Sequence, residues 1–192
     1  MEKKKVIIGL SGGVDSSVAA YLLKEQGYEV IGVTMEIWQD NDKNENPAVT
    51  DAKKVAQSLG IEYHVVDFKD IFEKSVVKNF VDEYMSGRTP NPCVLCNRVV
   101  KWEALLDKCD SFSADYIATG HYSRIEKLDN GRYAIKKSVN DAKDQTYALY
   151  GLSQKQLKRT LMPVGAYTKE EIRSIACRLG LDTANKPDSM EI

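Results

Sequence analysis

Val6-Ile7-Ile8-Gly9-Leu10-Ser11-Gly12-Gly13-Val14-Asp15-Ser16-Ser17 is the stretch that decides how this chain folds. An apolar run turns through paired glycines into a helical pattern with Val14, Val18, Tyr21 and Leu22 on one face. A strand that turns through glycine into a helix aims unpaired backbone N–H groups at one spot, where the positive end of the helix dipole also falls. That spot suits a phosphate. Gly12 and Gly13 let the backbone approach closely and take positive φ without penalty. Ser11, Ser16 and Ser17 add hydroxyl donors. The stretch lacks both the Gly-Lys-Ser/Thr ending of a Walker A loop and the Gly-x-Gly-x-x-Gly dinucleotide fingerprint. The competing reading is a plain βα turn in which Ser11 or Asp15 caps the helix.

Outward from this loop the elements alternate. Strands are expected over Lys5–Leu10, Glu29–Met35, Ile61–Val66 and Ala114–Thr119. Helices are expected from Val14 to near Gly27, over the stretch carrying Ala52, Val55, Ala56 and Leu59, over Ile71–Tyr84 and over Val94–Leu106. Gln39–Asn46 reads as a polar loop. Repeated βα units imply a parallel sheet covered on both faces, with ligands at the carboxyl ends of its strands. The period then changes. Tyr122–Leu128 and Arg132–Lys137 flank Asn130-Gly131, the signal for a hairpin with a type I′ turn. Ser153-x-x-Gln156 and Thr168-x-x-Glu171 read as capping boxes opening two further helices.

With 192 residues, 43% of them hydrophobic, the chain can bury one substantial core. No apolar run approaches the roughly 20 residues of a membrane span, and the first residues, Met1-Glu2-Lys3-Lys4-Lys5, lack a signal peptide's apolar stretch. The expectation is a cytoplasmic protein with no membrane partner, whose cysteines are reactive or metal-binding rather than disulfide-paired. A net charge of -1 hides an asymmetry: twelve acidic against six basic residues over Glu29–Glu83, but nine basic against four acidic over His121–Arg159. The basic half can face phosphates, although such runs are commonly just solvated.

Pro90-Asn91-Pro92-Cys93-Val94-Leu95-Cys96-Asn97-Arg98 is the second informative segment. Two prolines stiffen a turn that brings Cys93 and Cys96 to the start of a helix, where the dipole favours a thiolate. Three readings stay open: a buried structural pair, half of a zinc or iron–sulfur site, and a reactive thiol beside the nucleotide site. The third is preferred, because no second Cys/His pair has metal-site spacing.

The SGGVDS loop resembles that of the PP-loop, or N-type, ATP pyrophosphatases. With TPNPCVLCNRVVKW, ADYIATGHYSR, KDQTYALYGLSQ and NKPDSMEI in order, the whole chain resembles the tRNA-specific 2-thiouridylase family. The resemblance implies an adenine nucleotide alpha hydrolase-like α/β fold, a parallel sheet with helices on both faces plus a β-hairpin and C-terminal helices. It implies ATP and Mg²⁺, adenylation of C2 of the wobble uridine (34), and sulfur from a persulfide donor protein. The implied RNA partners are tRNAs with Lys, Glu and Gln anticodons. In this reading Gly9, Leu10, Ser11, Gly12, Gly13, Val14, Asp15 and Ser16 cradle the ATP phosphates, Asp15 helping to place Mg²⁺, and Met35 and Gly120 contact the nucleotide. Asn91, Pro92 and Cys93 meet the target base, His121, Lys143, Asp144 and Gln145 contact tRNA, and Cys96 is the catalytic thiol. Many relatives have Asp where this chain has Cys93, which raises the iron–sulfur reading with Cys93 and Cys96 as two ligands. His64, Tyr147, Leu149 and Tyr150 read as structural.

Residues 1–165 are expected to form the adenylation domain, and 166–192 to lead toward a central domain. The family's second, persulfide-bearing cysteine follows the NKPDSMEI motif and is not among these residues, so ATP binding without complete sulfur transfer is expected. Two alternatives stand beside this reading. One is an ATP- or iron–sulfur-binding module without independent turnover, the other a PP-loop adenylating enzyme with another substrate.

Overall fold

The sheet begins with β1 (Lys5–Gly9), whose side chains alternate between two cores because successive residues of a strand face opposite ways. Val6 and Ile8 point into one core and Ile7 into the other. The structure, a computed structural model, describes residues 3–38 and 46–186. Most of the polar loop expected over Gln39–Asn46, and residues 187–192 of the last motif, lie outside them.

Helix α1 (Val14–Glu25) follows β1; then come β2 (Glu29–Glu36), α2 (Pro47–Leu59) and β3 (Glu62–Asp67). Helix α3 covers residues 69–85 and α4 residues 92–111, and each passes through a π-helical stretch, Phe72–Val77 and Asn97–Ala104. After α4 the chain forms β4 (Tyr116–Ala118), the hairpin β5 (Ser123–Lys127) and β6 (Tyr133–Lys137), α5 (Gln154–Lys158), β7 (Thr160–Leu161) and α6 (Lys169–Arg178). Five strands pair in the order β3-β2-β1-β4-β7, every pair parallel. The parallel α/β sheet and the separate antiparallel hairpin are as the sequence implies. Two-residue β7 escaped the sequence reading because it is too short to show a period.

From β1 the chain builds outward through β2 and β3, then returns to the other side of β1 with β4. The reversal between β1 and β4 leaves a crevice at the strands' carboxyl ends, the place where open α/β sheets bind ligands. Helices α1, α2 and α6 cover one face through Val18, Leu23, Val55 and Ile172. Helix α4 covers the other through Trp102 and Leu105. Ile172, Ala176 and Leu181 join the same core as α1, so packing runs unbroken through the boundary expected at residue 165. A third cluster joins the π stretches of α3 and α4, with Phe72 and Val76 against Cys96, Val100 and Ala104.

Local chemistry explains the joints. Helix α2 stops at Gly60, which takes the left-handed φ of 60°. Both capping boxes form, Ser153 with Gln156 and Thr168 with Glu171. The hairpin turn differs from the type I′ expectation, since Gly131 has φ 79° but Asn130 is not in the left-handed region. Gly131 N–H donates to Leu128 O (2.9 Å) and Leu128 N–H to Arg132 O (2.7 Å). That is a three-residue loop in which a type I turn ends on a left-handed glycine. Among the described residues no helix is long and apolar enough to cross a membrane.

Candidate functional site

The loop after β1 is held from below. Thr34 Oγ1 donates to Leu10 O (2.8 Å) and Tyr63 O–H to Thr34 Oγ1 (2.8 Å), while Leu10 N–H donates to Val33 O (2.8 Å). Leu10 and Val14 turn their side chains into the core, 2% and 3% exposed, so the site can use their backbones alone. Gly12 takes φ 72°, and a Cβ there would sit 2.8 Å from Ala48 O. Gly13 does not use that freedom and is extended at φ -95°. Ser16 Oγ accepts from Ser11 N–H (3.2 Å), lies 3.2 Å from Ser11 Oγ and donates to Gly13 O (3.2 Å). Ser17 Oγ also donates to Gly13 O (2.8 Å).

Helices α2, α4, α5 and α6 each start on a side-chain cap: Asn46, Asn91, Ser153 and Thr168. Helix α1 starts at Gly13 with none. Its first-turn N–H groups at Val14, Asp15 and Ser16 therefore face the crevice without an intrahelical or capping partner, beside the exposed hydroxyl of Ser11. An uncapped helix start of this kind attracts a phosphate. The capping reading of Ser11 or Asp15 is accordingly set aside.

Asp15 is engaged. Its Oδ1 accepts from Tyr122 O–H (2.7 Å), and Lys169 Nζ lies 2.7 and 2.8 Å from its two oxygens. The Lys169 side chain is only 9% exposed. Gly120 closes the far wall; a Cβ on it would lie 2.7 Å from Ser16 N and 3.0 Å from Asp15 C, so only glycine lets the β4 loop lie against the start of α1. Met35 packs its Cε over Gly9, 3.2 Å from where a Cβ would be.

The Lys143-Asp144-Gln145 segment braces this wall. Gln145 Oε1 accepts from Tyr122 N–H and Gln145 N–H donates to Tyr122 O, both at 3.0 Å. Desolvation pushes the Asp144 carboxyl up, but bonds from Thr146 Oγ1, Ser138 N–H and Thr146 N–H hold it below the usual range. Asp144 and Gln145 Oε1 thus bond within the protein, and Lys143 is exposed. His121 sits 2.8 Å by its Nδ1 from Thr119 Oγ1, its ring centroid 5.5 Å from that of Trp102. Burial, helped by the charge of Lys101, lowers its pKa to about 3, so the imidazole is neutral at pH 7.

Asn91 caps α4, its Oδ1 accepting from the N–H groups of Cys93 (3.1 Å) and Val94 (3.4 Å), and Pro92 occupies the first turn. Cys93 is half-buried beside it. Cys96 departs from the reactive-thiol expectation. It lies in the second turn, fully buried against the α3 π stretch, and burial pushes its thiol up; Lys101 pulls it down only in part. The dipole argument fails because desolvation of the thiolate outweighs it. Asn97, next in line, donates from Nδ2 to Ala148 O (3.2 Å), tying α4 to the segment after Gln145. Among the described residues no group of three or more His, Cys, Asp or Glu is placed to hold a metal.

The crevice therefore gathers the β1 loop, the β4 loop and the Asp15–Lys169 pair around the uncapped start of α1. The Cys93 turn and Lys101 belong to the neighbouring helix. Lys169 and Lys101 were missed: a lysine at a helix start, or in a charged helix, gives no sequence signal that it is buried or near a site.

Comparison with known proteins sharpens this picture. The family model described as tRNA methyl transferase HUP domain matches residues 4–192. The tRNA-specific 2-thiouridylase MnmA of Lachnoclostridium phytofermentans is 63% identical over 98% of this chain, which spans 56% of that protein's length. Among solved structures, the U34-tRNA thiolase NcsA from Methanococcus maripaludis with its [4Fe-4S] cluster is similar with TM-score 0.60 at 24% identity. It aligns with 98% of this chain and 60% of its own. A 4-thiouridine synthetase–RNA complex with bound ATP is similar with TM-score 0.64 at 18% identity, over 96% of this chain and 43% of that one. Such structural likenesses speak for the fold.

Proposed function

The chain belongs to the tRNA methyl transferase HUP domain family, and we propose that it is the nucleotide-binding, adenylating part of a tRNA-uridine 2-thiolation enzyme. The observation that carries this is the uncapped start of α1 at the β1/β4 crevice, ringed by Ser11, Ser16 and glycine backbone. ATP would lay its β- and γ-phosphates on the N–H groups of residues 12–16, with Met35 and Gly120 flanking the nucleotide. The wobble uridine would enter beside Asn91, Pro92 and Cys93, and exposed Lys143 would meet the RNA backbone. His121, Asp144 and Gln145 act from behind, by shaping the loop that faces the RNA.

An amide-like oxygen is a poor leaving group. The uridine C2 oxygen attacks the α-phosphorus and pyrophosphate departs. The outer sulfur of a persulfide donor then attacks C2 and AMP leaves with the oxygen. A second thiol then attacks the donor's inner sulfur, which breaks the S–S bond, frees the 2-thiouridine and leaves a disulfide. The N–H groups of α1 and the lysines near them stabilise the pyrophosphate that forms. Magnesium held by ATP takes most of its ligands from phosphate and water. Asp15 fits such an ion only by giving up Lys169, whose ammonium can then turn to the phosphates. Cys96 serves the sulfur step only once the start of α4 moves away from the α3 π stretch that covers its thiol, because a fully buried thiol is not a nucleophile. An iron–sulfur cluster here would take Cys93 and Cys96 and at least one donor more than the described residues bring to them.

Burial of Cys96 favours one other reading, a module that binds ATP and RNA but does not turn over. Pyrophosphate release decides between them. With an anticodon stem-loop carrying uridine at the wobble position, the account expects release that stops when cytidine replaces it. Tight binding of both ligands with no pyrophosphate would favour the module. The 192 residues alone are expected not to form 2-thiouridine.

A further inference from the structure

A groove of about 460 Å³ lies apart from the crevice, between the β5–β6 hairpin and the β7 edge of the sheet. Its volume falls within the roughly 300–1,000 Å³ of small-ligand sites. Tyr28, Tyr116 and Tyr133 line it together with Arg124, Lys127 and Lys158, over a floor of Ile125, Leu161 and Met162. Tyr28 and Tyr116 stand edge to face at 6.0 Å, and Lys4 donates to Tyr116 O–H at 3.0 Å, adding a fourth cation at the rim. Elsewhere on the hairpin Lys136 is paired with Glu126, but among the described residues Arg124, Lys127 and Lys158 have no carboxylate within salt-bridge distance. Arg124 instead donates from Nε to Lys137 O (2.8 Å).

Lys4 already covers the Tyr116 ring, but unpaired cations beside a ring such as that of Tyr133 are what a flexible nucleic acid strand requires, phosphates on the charges and an unstacked base on the ring. An acidic peptide would satisfy the cations and leave the tyrosines without purpose. One residue of the groove also touches the β4 side of the crevice. Met162 in its floor accepts from Ser123 Oγ (3.1 Å) and lies against Thr119, the partner of His121. We propose that this groove is a second RNA contact, holding an unpaired stretch of the RNA substrate while its target base reaches the Cys93 turn. This rests on the thiolation reading.

The test is an anisotropy titration of a labelled anticodon stem-loop against the whole chain at several salt concentrations. Lys127→Ala/Lys158→Ala changes only exposed residues; it is expected to weaken binding about tenfold or more and to flatten the salt slope by about 1.5. Tyr133→Leu keeps the floor apolar and should weaken binding several-fold with the slope unchanged. ATP affinity and melting temperature should hold in both. Wild-type affinity in both variants would overturn the groove while leaving the thiolation reading standing. So would displacement of the RNA by polyglutamate as effectively as by unlabelled RNA. Failure of the wild type to bind RNA would overturn both.

Discussion

The Asp15–Lys169 pair is the residue-scale feature with most consequence, because one carboxylate joins the phosphate loop to the start of α6. With Lys169 at 9% and Asp15 at 28% exposure, removing the lysine leaves a largely enclosed carboxylate held by Tyr122 alone. Lys169→Met should cost about 1–3 kcal/mol, below the 3–5 of a fully buried pair because Asp15 still reaches water. Denaturant unfolding measures it, and pyrophosphate release should fall in the same variant. Cysteine burial gives a second expectation: mild alkylation of the native protein should label exposed Cys177 and half-buried Cys93 and spare Cys96 and Cys109. Burial raises the thiols of both spared residues, that of Cys109 to about 11. Rapid native labelling of Cys96, read by mass spectrometry, would contradict the packing. His121 supplies a pH dependence. Its pKa is lowered from 6.5 to about 3 by burial, so as pH falls through 6.5 the unfolded chain takes a proton that the folded chain refuses. Its contribution is whole above pH 6.5 and is lost progressively toward pH 3. A His121→Asn variant should lose less stability than the wild type between pH 7 and 5, where a carboxylate with a lowered pKa such as Asp144 does not yet protonate.

Element by element, how much was legible depends on where the signal lives. The strand–glycine–helix order of residues 6–22, the alternation of β and α and both capping boxes are local, and local chemistry writes them into the sequence. Gly120 was marked as a site residue but not for its reason, a backbone approach to Ser16 that exists only after folding. Gly120→Ala should destabilise by about 1–3 kcal/mol through overpacking and abolish ATP binding, as calorimetry of both would show. The π stretches of α3 and α4 left no signal either, because they arise where the two helices pack on each other around Cys96. That packing is why a thiol expected to be activated by a helix start is instead enclosed. Trp102 also acts between elements. It is fully buried on α4 and donates from Nε1 to Thr160 Oγ1 of β7 (2.9 Å). Trp102→Phe keeps most of the volume but loses that bond and leaves a void, so a loss of about 1–3 kcal/mol is expected in thermal unfolding.

At the scale of the whole molecule, a five-stranded parallel sheet puts the β1 and β4 loops side by side at one crevice, and α4 brings the Cys93 turn in from the other face. The chain spans about half the length of the curated relatives it resembles. The proposed function asks of this unit that it activate the uridine oxygen. A stem-loop with oxygen-18 at C2 of the wobble uridine, incubated with the protein, ATP and sulfide, tests that most directly. The account predicts AMP carrying the heavy oxygen, formed in step with pyrophosphate. Unlabelled AMP, or cleavage to ADP and phosphate with the label kept in the RNA, would contradict it.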